Sequence, residues 1–71
     1  MKETVLIHTE YIKLDSFLKL ASAVSSGGEA KILIEEGKVS VNGELCTVRG
    51  KKLRPGDLVS LDGRDWEVAA G

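Results

Sequence analysis

Seventy-one residues, 42% apolar and 30% charged, describe a single small globular domain (1–71), in a size class that buries only about 60% of its unfolded surface. One cysteine excludes an internal disulfide framework and cannot by itself build a structural zinc site, which fits a reducing, cytoplasmic setting, and no apolar run approaches the roughly 20 residues of a membrane span. The formal net charge of −1 hides an asymmetry: 38–54 carries Lys38, Arg49, Lys51, Lys52 and Arg54 against Glu44 alone, net +4, while the remainder carries five cations against ten acids, net −5.

In chain order, Thr4-Val5-Leu6-Ile7-His8-Thr9 is β-branched and apolar and reads as a first strand or extended arm. Leu14, Phe17, Leu18 and Ala21 fall at i, i+3, i+4 and i+7, which predicts an amphipathic helix from about Leu14 to Ala23. Ser25-Ser26-Gly27-Gly28 breaks it, with Ser26 or Gly27 as the N-cap of the next helix. There Ala30, Leu33 and Ile34 share one face, and Gly37 follows as a left-handed stop. The period then changes to two. Val39 and Val41 form a strand, Asn42-Gly43 a type I′ turn, and Leu45-Cys46-Thr47-Val48 the returning strand. Arg49-Gly50-Lys51-Lys52-Leu53-Arg54 reads as a basic connection too polar for a core. Pro55-Gly56-Asp57 is a type II turn, Leu58–Leu61 a strand, Asp62-Gly63 a turn and Asp65–Val68 a last strand. The sum is an α+β domain: two packed helices followed by a small antiparallel sheet, with an N-terminal strand.

Three blocks, Leu14–Leu18, Ala30–Gly43 and Leu53–Val59, together resemble the RNA-binding domain named after ribosomal protein S-four, over roughly Lys13 to Leu61. The Gly27–Lys31 and Arg49–Leu53 blocks further resemble short stand-alone members of the YaaA type. The resemblance implies the alpha-L RNA-binding motif, in which two helices and the following hairpin present one basic face. It implies RNA contacts at Lys13, where the family commonly has arginine, and at Lys31, after the helix-two alanine, with Asn42 in the hairpin turn. At Gly27-Gly28 the chain departs from the family, most of whose members carry Ser-Arg. A principal phosphate-binding arginine is therefore missing; either the Arg49–Arg54 connection compensates or RNA affinity is lower than in the wider family.

Local field rather than total charge decides where a polyanion docks. Arg49 and Arg54 suit bidentate phosphate contacts, and Lys51 and Lys52 act as point charges. By composition alone the same connection reads equally as a solvated loop. Lys31 beside the open helix start at Gly27-Gly28 suits an anion, although a plain interhelical turn explains the glycines as well. Asn42 is first a turn residue and second a hydrogen-bonding partner for RNA. Lys19 lies on a solvated face, His8 on a strand surface and Cys46 in the core. Trp66 or Tyr11 could stack a base, with packing the ordinary use of a lone Trp. The expectation is a non-catalytic, monomeric RNA-binding protein, ribosomal by the resemblance. Its contacts are Lys13, Lys31, Lys38, Asn42, Arg49, Lys51, Lys52 and Arg54, with no cofactor, metal, membrane or small-molecule substrate. The alternative is a protein-interaction adaptor that keeps the fold without RNA binding, favoured by the missing arginine and a pI near 5.7.

Overall fold

The computed structural model describes residues 2–71. The elements are β1 (Lys2–Ile7), β2 (Ile12–Lys13), α1 (Leu14–Leu20), α2 (Gly27–Glu35), β3 (Val39–Val41), β4 (Glu44–Leu45), β5 (Lys52–Leu53), β6 (Leu58–Leu61) and β7 (Arg64–Ala70). A five-stranded sheet has the order β1-β7-β6-β3-β4, and β2 with β5 forms a separate two-stranded ribbon. One edge departs from the expected antiparallel pattern: β1 runs parallel to β7, from Lys2 opposite Asp65 to Ile7 opposite Ala70. The sheet is therefore mixed. A parallel neighbour leaves no turn signal in the sequence, because its connection here is nearly the whole domain.

Alternation along the strands sends Val39, Val41, Val59, Leu61, Trp66 and Val68 inward. They form one core with Leu14, Phe17 and Leu18 of α1 and Ala30 and Ile34 of α2. Trp66 is spent on packing. No helix among the described residues is long and apolar enough to cross a membrane.

The helix ends show local chemistry at work. The spacing predicts α1 through Ala23, but the helix ends at Leu20. Ser22 sits at φ 59°. Its N–H donates to the Lys19 carbonyl at 3.1 Å, and the Ala23 N–H donates to that of Leu18 at 2.9 Å. This is a Schellman stop built on a serine, which gives no glycine cue. Helix α2 closes the same way on Gly37, at φ 77°, as its sequence predicts. It opens on Ser26, whose Oγ accepts the Glu29 N–H at 3.2 Å, while Glu29 Oε1 accepts the Ser25 N–H at 2.7 Å. That exchange is a capping box displaced by one residue.

The hairpin also forms as its turn residues dictate. Val41 faces Glu44 across Asn42 at φ 53° and Gly43 at φ 83°, a type I′ turn. The returning strand is shorter than predicted: β4 holds only Glu44 and Leu45, Cys46 is partly buried against the core, and Val48 is 62% exposed.

Candidate nucleic-acid interface

The segment from Arg49 to Arg54 is not the wholly polar connection its composition suggests. It contains β5, and Leu53 is fully buried. A two-residue strand is too short to show a period, so the burial follows from its partner. Strand β5 pairs antiparallel with β2, Ile12 opposite Leu53 and Lys13 opposite Lys52. Ile12 and Leu53 turn toward the core, which leaves Lys13 and Lys52 side by side on the outer face, both exposed. Like charges directly opposite each other weaken a strand pair. Neither lysine has a carboxylate partner among the described residues.

The backbone of the same segment starts α1. Lys13 makes no side-chain cap. Instead the Leu14 N–H donates to the Lys51 carbonyl at 2.9 Å and the Asp15 N–H to the Arg49 carbonyl at 3.1 Å, filling positions that a helix start otherwise leaves unpaired. Arg49, Lys51 and Lys52 are thereby held against the beginning of α1, next to Lys13.

At the far end of β5, Asp57 organises the turn that carries Arg54. Asp57 Oδ2 accepts the Arg54 N–H at 2.8 Å, and Oδ1 accepts from Asn42 Nδ2 at 3.1 Å. Asn42 Oδ1 in turn accepts the Leu58 N–H at 2.9 Å. The Asn42 side chain thus already ties the hairpin to the Arg54 turn. A surface cleft of about 330 Å³, lined by Val41, Asn42, Glu44, Leu45, Cys46 and Lys51, joins hairpin and basic segment.

Lys31 and Lys38 stand apart from this group. Lys31 is exposed on α2, in whose first turn the Glu29 carboxylate already serves as an acceptor. Lys38 precedes β3, at the opposite end of that strand from Asn42, and lines a different cleft with Arg64 and Trp66. No strand register or hydrogen bond among the described residues ties either lysine to the ribbon. The ion pairs among the described residues are Lys2 with Glu67 at 3.1 Å and Arg64 with Glu3 at 3.7 Å. Among the described residues, none of the seven candidate cations has a carboxylate partner.

A further contact follows from the burial pattern. Tyr11-Ile12-Lys13 and Lys52-Leu53-Arg54 are both outward–inward–outward triplets, and the ammonium of Lys52 lies 4.9 Å from the centre of the Tyr11 ring.

The S4 domain model matches residues 5–69 of the sequence. The chain belongs to the S4 domain family. A protein of Bacillus subtilis (strain 168) named probable ribosome maturation protein RlbA is 46% identical over 63 residues, 89% of each chain. YbcJ of Escherichia coli (strain K12) is 38% identical over 60 residues, 84% of this chain and 86% of its own. The solution structure of E. coli YbcJ, described as revealing an alpha-L motif involved in RNA-binding, superposes with a TM-score of 0.67 at 35% identity. It covers 97% of this chain and 86% of that one. The ribosomal protein S4e of Thermoplasma acidophilum shares the fold at a TM-score of 0.64, 17% identity, over 83% of this chain and 31% of that chain. The expected alpha-L architecture is the one observed, and the S4 domain is an RNA-binding rather than a catalytic family.

Proposed function

We propose that this S4 domain protein is a non-catalytic monomer of the cytoplasm that binds structured RNA of the ribosome or an assembling ribosomal particle. The whole of 1–71 serves as one binding domain. Its main contact surface is the outer face of the β2–β5 ribbon with the adjoining segment: Lys13, Arg49, Lys51, Lys52 and Arg54. Lys31 and Lys38 add peripheral phosphate contacts, and Asn42 contributes chiefly by fixing the hairpin against the Arg54 turn. The observation that carries this reading is the exposed Lys13–Lys52 pair across the ribbon, without a carboxylate partner among the described residues, where a bound phosphate offsets the like charges. The similarity to a protein named for ribosome maturation supports the ribosomal direction.

The test is co-sedimentation of tagged protein with ribosomal particles, alongside crosslinking and sequencing of the attached nucleic acid. Replacing Lys51, Lys52 and Arg54 together by glutamate abolishes the association while the fold persists. Unchanged co-sedimentation of that variant refutes the reading. Leu45 and Val48, 64% and 62% exposed beside the cleft that Lys51 lines, favour a second reading, a protein-interaction adaptor. Its binding would be nearly indifferent to salt.

A further inference from the structure

Resting on the RNA-binding reading above, and going beyond it to the feature of the RNA that is read, we propose that Tyr11 is a stacking seat for one unpaired nucleobase. The preferred RNA then carries a bulged or looped-out nucleotide within its structure, rather than a continuous duplex.

The register makes the case. Ile12 faces Leu53 and Lys13 faces Lys52; Tyr11 and Arg54 are the exposed residues that flank the Ile12–Leu53 pair at the end of the ladder. The outer face of the ribbon therefore presents Tyr11, Lys13, Lys52 and Arg54, one aromatic among three cations, all exposed. The chain has one Phe, one Trp and one Tyr. Phe17 and Trp66 are fully buried, and Tyr11, at 37% exposure, is the aromatic left outside. It takes no part in the core cluster.

The main chain at Tyr11 is anchored, and Lys52 lies against one face of the ring. The Thr9 hydroxyl donates to the Tyr11 carbonyl at 2.7 Å, and the Lys52 ammonium sits 4.9 Å from the ring centre. A nucleobase stacks on an aromatic face whatever its sequence identity, and its own backbone phosphates then need cations beside the ring. Lys13, Lys52 and Arg54 are those cations. Bases within an A-form duplex are stacked on one another and offer no face to a side chain, so the ring has a use only for an unstacked one.

The experiment compares two fluorescently labelled RNA hairpins that differ by a single unpaired adenosine. Wild type, Tyr11→Leu and Tyr11→Phe are titrated against both, with the fold of each variant verified by Trp66 emission. Wild type favours the bulged hairpin on the order of 5- to 150-fold. Tyr11→Leu loses that preference without a change in salt dependence, and Tyr11→Phe keeps it. In wild type, the ring protons of Tyr11 move upfield in the NMR spectrum with the bulged hairpin only. Equal affinity of wild type for both hairpins, or an undiminished preference in Tyr11→Leu, overturns the stacking seat and leaves salt-dependent RNA binding standing. Failure of wild type to bind either hairpin at low salt overturns the RNA reading and the stacking seat together.

Discussion

Salt dependence offers the sharpest measurement of how many cations act together. The ribbon and its adjoining segment group Lys13, Arg49, Lys51, Lys52 and Arg54, none of them in an ion pair among the described residues. Each neutralised phosphate contributes about −0.7 to the slope of log affinity against log salt on single strands, so five contacts give about −3.5. Raising salt from about 50 to 200 mM then weakens binding by about 100-fold. Replacing Lys51 and Lys52 together by glutamine removes two charges but keeps the Lys51 carbonyl that starts α1, which lowers the slope to about −2.1 and the loss to about 20-fold. Fluorescence anisotropy with a labelled single-stranded RNA, short enough to engage this group without Lys31 or Lys38, reads both slopes, and Lys19→Gln, outside the group, serves as the control with an unchanged slope. A wild-type slope near zero, or a double variant that retains about −3.5, refutes convergence of these cations on one polyanion.

Three further substitutions test the scaffold, each by urea and thermal unfolding followed through Trp66 emission, with the salt titration above repeated where a slope is stated. Leu53→Ala empties a fully buried position and costs about 2–5 kcal/mol; a cost below about 0.5 kcal/mol, as for an ordinary surface position, refutes the burial of β5. Asn42→Gly keeps the positive φ of the turn but removes the bonds to Asp57 and Leu58, and costs about 1–3 kcal/mol with no change in the salt slope. Ser22→Gly relieves a left-handed serine at φ 59° and stabilises by about 1 kcal/mol, an increase in Tm of about 4–8 °C.

Much of the framework is legible because it depends on neighbours in the chain. Gly37, Asn42-Gly43 and Pro55-Gly56 announce their backbone conformations, and Leu58–Leu61 forms the strand its alternation describes. What escapes is set by distant pairing. Nothing near Lys2–Ile7 names β7 as its parallel neighbour, and nothing near Leu53 shows that Ile12 will draw it inward. Ser22 ends α1 by adopting a conformation that serine rarely signals. The candidate site divides along the same line. Charge clustering finds Arg49, Lys51, Lys52 and Arg54, and the resemblance adds Lys13, but only the ladder shows that Lys13 stands across from Lys52. For Lys31 and Lys38 the charge is legible, and the structure places neither on the ribbon.

Helix α1 begins on the carbonyls of Arg49 and Lys51, so the most basic part of the chain is stitched into the body of the domain. A loose cationic arm gives up about 1–2 kcal/mol of backbone freedom for every residue that its ligand immobilises. Here that ordering is completed when the domain folds, before any polyanion arrives. On the proposed reading, the segment meets RNA as a preset surface rather than a tether that must be tamed on contact.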